Sequence, residues 1–512
     1  MVCEKKKLKR YELMVFEKKE ASHETILRLL DNIEKSLSQL ELSLPLIMEK
    51  RQALDVELNK QGDNNAITEL LLVVFDIILA ENEVIYDLSV SLKALLKAKD
   101  DYTKRYYMQS LNLCFWESCQ VFVGQKNDNN GLLQRFERLC SQLNLVECQL
   151  LINPIIEDIQ VFRNGYVNRT LRDITRHYDH PIKMYKEVHK LDNIDFFSKG
   201  ASQLMALRME ISVISLYLQN PLMSQRCDSP LNVSLHSTGI VQKVNEVVIK
   251  KLGNKDFKGQ LQKVLSQAQK VVDGCYRHYD CCSKAIAFLE ENGLKVPDVF
   301  EKMESLIFLR MEALYLRYDV ACSVWGYLNA SSDKERSQNL RLIHITKQAA
   351  LTHIFGYTEN TKKNSLWSKI KSIDEASTEK LDTEGIEKRL EELTKNLAVD
   401  NQKSRMYAHY RYKENFYIPS RLDAFEKMLH ATELNDSLKL LSVCKSLDKY
   451  TFELLGCIYD NQEQERKKKY AEWMGKIEQL VAPKVKDENN KDVFKPLRDL
   501  LELAYGDYEK VL

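Results

Sequence analysis

Apolar residues recur along most of this chain at i, i+3, i+4 and i+7, the spacing that lines one face of a helix. Between residues 24 and 59 the stripe is Leu29, Leu30, Ile33, Leu37, Leu40 and Leu44, and Pro45 predicts a break or kink in it. The polar run at 61–65 ends that pattern, and further helices are predicted at about 67–98, 101–123, 131–150, 155–178 and 195–219. Asp101 is placed to cap the helix that starts there, and Gly124 to stop it. Pro181 is expected to close the helix that ends near Tyr178. The segment 220–239 concentrates Pro, Ser and Asn and reads as a linker, and 357–388 reads as a long polar connection, partly helical or mobile. The longest apolar run, Leu70 to Ala80, contains Asp76 and falls well short of the roughly twenty residues of a bilayer span, so it predicts a buried core helix.

Composition agrees with that pattern. With 16 Gly and 9 Pro in 512 residues, turn-formers are scarce, and the fold class expected is all-α. Lys+Arg 75 against Asp+Glu 74 leaves no global charge to draw the chain to nucleic acid or an anionic membrane. The 12 cysteines are scattered through helical patterns without a C-x-x-C pair, which predicts reduced, mostly buried thiols. The basic N-terminus is followed by no apolar h-region, so no signal peptide is expected and the compartment expected is the cytoplasm. H-E-x-x-H, Walker, G-x-S-x-G and dinucleotide signatures are missing, so neither a metal nor a cofactor is expected.

The second half echoes the first at one offset of 232 residues, the separation of Tyr86-Asp87 from Tyr318-Asp319. The same offset carries Ser91 onto Ser323, Leu96 onto Leu328, Asp101 onto Asp333 and Gly124 onto Gly356. It also carries His177-Tyr178 onto His409-Tyr410 and Tyr185 onto Tyr417. A period this long is no solenoid, whose units run roughly 20–50 residues; it predicts two copies of one helical-bundle unit in a pseudo-twofold arrangement. The expected layout is amphipathic helices over 1–66, a first unit over 67–219, the linker 220–239, helices over 240–296, a second unit over 297–462 and a basic helix with its tail over 463–512.

The candidate chemistry lies in Val167 to Tyr185. On a helix, Val167, Leu171, Ile174 and Tyr178 form an inward stripe, and Arg169, Arg172 and Arg176 form a basic ridge beside it. Asp173 precedes His177 by four positions and so can orient its imidazole. Arg172-Asp173-Ile174-Thr175-Arg176-His177 resembles the signature of the HEPN superfamily, an arginine and a histidine four to six residues apart in a small helical domain. That resemblance implies paired domains with facing motifs and, in catalytic members, metal-independent ribonuclease activity in toxin–antitoxin, defence or stress systems. A histidine can move the ribose 2′-hydroxyl proton or protonate the leaving oxygen, and an arginine can stabilise the phosphorane. The second copy keeps His409 but has Ser404 where the first has Arg172, so its motif is degenerate.

The catalytic residues implied are Arg172, His177, Asp173 and His409. The partners implied are RNA and a protein partner or antitoxin, with an intramolecular pseudodimer or a homodimer as the assembly and no membrane partner. The alternative is a non-catalytic helical scaffold or protein-interaction module, in which Asp173 and His177 make an ordinary helix pair. The lysines at 468–470 fit a solvated helix face, and Tyr106, Tyr107, Phe115 and Phe122 fit core or interface positions.

Overall fold

The computed structural model describes residues 23–61, 66–124, 130–165, 178, 180–190, 255–293, 295–296, 298–356, 362–375, 384–395, 411–412, 415–416, 430–460, 472 and 475. These residues are all-α. In the first half, α1 is His23–Gln61, α2 is Ala66–Lys97, α3 is Asp101–Val123, α4 is Leu132–Gln142, α5 is Val146–Gly165 and α6 is Pro181–Lys190. In the second, α7 is Lys255–Glu291, α8 is Asp298–Asn329, α9 is Asp333–Phe355, α10 is Leu366–Glu375, α11 is Glu384–Thr394 and α12 is His430–Asp460. Two-residue strands, Arg411–Tyr412 and Asn415–Phe416, pair antiparallel and leave the fold class unchanged.

Local chemistry explains where the helices begin and end, and corrects several expected boundaries. Asp101 and Asp333 lie in first turns and do not cap. The caps are Asp100 and Ser332, one residue earlier, because an N-cap must be extended while its side chain accepts from an amide three residues on. Thr103 N donates to Asp100 Oδ1 at 2.8 Å, and Glu335 N donates to Ser332 Oγ at 3.1 Å. Gly124 and Gly356 stop α3 and α9 as expected, with φ of 68° and 75° that side-chain-bearing residues rarely adopt.

The break expected between 150 and 155 lies at 143–145 instead. Asn144 has φ 55°, Leu145 N donates to Cys140 O at 2.8 Å and Asn144 N to Ser141 O at 3.2 Å, the bond pair of a Schellman stop. Pro154 therefore sits inside α5, and Pro45 likewise inside an unbroken α1. Both prolines are exposed, beside exposed Leu150 in one case and Leu42 and Leu46 in the other, so each ring lies on the outer face of its helix, where a lost hydrogen bond is least costly. Pro181 opens α6 where it was expected to close a helix: the first helical position has no need of an N–H, and Met184 N donates back to His180 O at 2.9 Å. The helix expected at 195–219, the linker 220–239, and the lysines at 468–470 lie outside the described residues.

The helices pack as two groups. α1 lies on α2, α2 on α3, and α4 and α5 complete a core of Leu70, Val73, Phe115, Phe122, Phe136 and Ile152. In the second half α7 lies on α8, α8 on α9, and α12 packs along both α8 and α9. Asp298–Asn329 and Asp333–Phe355 stand 232 residues after Ala66–Lys97 and Asp101–Val123 at both ends, and Lys255 the same distance after His23. Across the halves, α2 touches α9 and α3 touches α7 and α8. The core of the second half accordingly includes Tyr102, Tyr106, Tyr107, Tyr178 and Met184 from the first.

The α3–α8 crossing is close because Gly326 has no side chain. A Cβ there would lie 2.0 Å from the hydroxyl of Tyr107 and 2.5 Å from Asn339 Oδ1. Tyr107 is anchored by donating to Cys322 O at 3.0 Å, so it cannot swing away freely. Gly326→Ala is expected to cost about 1–3 kcal/mol by overpacking, read as a lower urea midpoint.

Candidate functional site

Arg172, Asp173, His177 and His409 lie outside the described residues. Tyr178, which directly follows His177 in the chain, is described and is buried. Its hydroxyl donates to Asp319 Oδ2 at 2.9 Å, while Tyr102 from α3 donates to Asp319 Oδ1 at 2.9 Å. Asp319 is on α8, so one carboxyl joins three segments of the chain. Burial drives the Asp319 carboxyl up to about 7, against the opposing pull of the Tyr178 and Tyr102 hydrogen bonds. Burial and the nearby Asp319 hold both phenols well above the usual tyrosine range.

Beside this junction, Tyr102, Arg105, Gln109, Gln269, Tyr185 and Asp319 border a cleft of about 10 Å³. That is room for about one water, whereas small-molecule pockets run to roughly 300–1,000 Å³. Tyr185 stacks on Tyr276 with centroids 3.9 Å apart and donates to Asp273 Oδ1 at 3.0 Å. The cleft is therefore a packed seam too small for anything larger than a water.

A second polar seam joins α2 to α9. Arg341 pairs with Asp87, with side chains 2% and 3% exposed. Lys93 Nζ lies 2.8 Å from Glu335 Oε2 and 3.0 Å from Ser331 Oγ, and Gln338 Nε2 donates to Glu83 Oε2 at 3.3 Å. Such pairs are held by their mutual neutralisation, since either charge alone would be costly in this setting.

Two histidines of α9 face carboxylates. His344 Nδ1 lies 3.3 Å and Lys347 Nζ 2.5 Å from Glu433 Oε2 on α12. Burial opposes ionisation of Glu433, but His344 and Lys347 together outweigh it and hold the carboxyl at about 2. His353 Nε2 lies 3.0 Å from Glu312 Oε2 on α8, and its ring is 5.8 Å from that of Tyr178.

Sequence reasoning did not single out Glu312, His353, Arg341 or Glu433. Their partners are 41 to 254 residues away, beyond any helical spacing. The available signal was a charged residue standing in a core-facing stripe, which Asp87 and Asp319 carry as part of the repeated Tyr-Asp pair. Tyr106, Tyr107, Phe115 and Phe122 are buried, as expected. Among the described residues the nine cysteines stand outside any disulfide, and eight of them are buried. No group of three or more His, Cys, Asp or Glu able to hold a metal occurs among the described residues, and no helix among them is long and apolar enough to cross a membrane. Comparison with family models, with curated proteins and with solved structures finds no match for the chain.

Proposed function

We propose that the chain is a fused pair of homologous helical units, related by internal duplication about a pseudo-twofold axis, that acts as a HEPN-like, metal-independent endoribonuclease in a defence, toxin–antitoxin or stress system. The observation that carries this reading is the equal spacing of α1–α3 and α7–α9, together with their reciprocal pairing. A twofold interface pairs the α2–α9 contact with α3–α8, and both of these support the reading, although the larger α3–α7 contact has no counterpart of that size between α1 and α9. Asp87 and Asp319 hold equivalent positions; Arg341 meets the first, and its counterpart Gln109 borders the cleft of the second.

In this reading His177 is the general acid or base, Arg172 steadies the phosphate and Asp173 orients the imidazole. His409 is the remnant of the second motif. The insertion of Tyr178 against α8 is in keeping with a motif that faces the other unit. RNA is the substrate, a protein partner or antitoxin the regulator, and the cytoplasm the compartment, in accord with described cysteines that stand outside any disulfide. The test is incubation of the purified chain with total RNA in EDTA. His177→Ala is expected to lose about 10²–10⁴-fold in cleavage rate with the helical circular dichroism unchanged. Equal cleavage by both proteins, or none by either, would remove the catalytic reading.

A second reading is a non-catalytic scaffold. The small size of the Asp319 cleft favours it, because the described part of the seam is filled by side chains and leaves no substrate-sized space.

A further inference from the structure

We propose that Arg310 and Arg317 on α8, with Phe452 on α12, form a surface site for the phosphate group of a small phosphate monoester; this does not rest on the ribonuclease reading. The two guanidiniums converge on one carboxyl. Arg310 Nε donates to Asp448 Oδ1 at 3.2 Å, and Arg317 Nη1 donates to Asp448 Oδ2 at 2.6 Å. Neither guanidinium has another hydrogen-bond or ion-pair partner among the described residues. One positive charge is thus left over, on side chains only 16% and 18% exposed. A charge largely withdrawn from water and left uncompensated is costly, so the arrangement favours an added anion.

The unspent donors indicate which anion. Each arginine gives Asp448 a single N–H and keeps the rest of its fork. A carboxylate has two oxygens and serves one fork, whereas a phosphate presents three and can take bonds from both arginines at once. Lys445 and Lys449 stand exposed on the same side of α12 as Asp448, and Lys449 is paired with Glu453 at 3.1 Å. Phe452 is 43% exposed, with its ring centroid 4.5 Å from Arg310 Cζ. It offers an apolar surface beside the charge, suited to the body of an ester. The ligand lies against the open surface of α8 and α12 and needs no enclosed pocket.

Packing does not call for these charges. At the offset of 232 residues Arg310 and Arg317 correspond to Ile78 and Ile85, both half-buried on α2. The same two positions of a helix are filled by isoleucine in the first half, so the arginines answer to something other than the fit of the helices.

The experiment is equilibrium dialysis of the full chain against inorganic phosphate and against phenyl phosphate, at constant ionic strength in chloride. One ligand per chain is expected, with phenyl phosphate bound more tightly. Arg310→Ile and Arg317→Ile should each weaken both ligands about 10–100-fold. Phe452→Ala should remove the advantage of phenyl phosphate and leave inorganic phosphate unchanged. Acetate at equal concentration should displace neither. No saturable binding by the parent chain, or binding unchanged in both arginine variants, would overturn the site. Displacement by acetate would overturn the phosphate assignment, and phenyl phosphate bound no more tightly than the free ion would overturn the ester. If the isoleucine variants melt early, Arg310→Lys, which keeps the charge and loses the fork, carries the test, and unchanged affinity there counts against the site.

Discussion

Arg341→Ala is expected to lower the stability of the whole chain by about 3–5 kcal/mol, seen as a lower urea midpoint at unchanged slope. The guanidinium is almost wholly enclosed between α2 and α9, and it neutralises Asp87, which is equally enclosed. Truncation would strand that carboxylate in a medium that solvates it poorly. The loss should come from the stranded charge more than from the missing attraction, and this can be separated experimentally. In the double variant Asp87→Leu, Arg341→Met, both charges are removed together and similar volume is kept. It should recover most of the loss, because an apolar replacement of a buried pair is often neutral or better. A double variant as unstable as Arg341→Ala would mean that the guanidinium acts mainly through its other contacts, such as Cys114 Sγ at 3.8 Å.

Acidification should strengthen the junction around Asp319. Its folded pKa, about 7, lies above the ordinary 3.8 of an aspartate, so between these limits the folded state holds a proton that the unfolded chain has released. The contribution of this group is complete below about pH 4 and is lost as pH rises through 7, at up to about 1.4 kcal/mol per pH unit. The full effect is on the order of 4 kcal/mol. Glu433 has the opposite sign: its carboxyl, held at about 2, lends stability above the ordinary 4.5 that is lost as pH falls toward 2. The window from pH 5 to 7 thus separates Asp319 from Glu433, and the histidines that titrate there are common to the parent chain and the variant compared with it. Asp319→Asn should gain on the parent chain steadily across that window in urea titrations. A difference between the two proteins that does not vary with pH would show that the carboxyl is already ionised when folded.

The all-α class and the positions of α1, α2 and α3 were legible because apolar spacing is a local property, and each of these helices buries part of the face that its period marks; the helices of the second half were expected only as a copy of the first. Gly124 and Gly356 were legible for the same reason: a left-handed stop is chosen by one residue. Boundaries failed where two local signals competed. At Asp100-Asp101 either acid could cap, and only the backbone angle decides. At Asn144 and Pro154 the weaker-looking residue made the turn, because Asn tolerates positive φ and an exposed helix edge tolerates proline. The chemistry was less legible still. His353 and Glu312 sit on different helices, and nothing in the spacing of either announces the other. The repeated Tyr-Asp pair was read only as an echo, although both acids turn out to anchor contacts between the halves.

The interlocked tyrosines of α3 have a consequence for synthesis of the chain. Tyr102 bonds Asp319, 217 residues further on. At roughly 5–20 residues per second, a ribosome needs on the order of 10–40 s to make that interval. During this time the first half has emerged with Tyr102, Tyr106 and Tyr107 facing outward, an aromatic face with nothing yet to cover it. A nascent chain in that state is open to pairing with a neighbour on the same messenger, which could donate its own α8 once made. Exchange of halves between chains is thus the misassembly this architecture invites. Slowing elongation within the segment that encodes α7 and α8 should increase the dimeric fraction recovered.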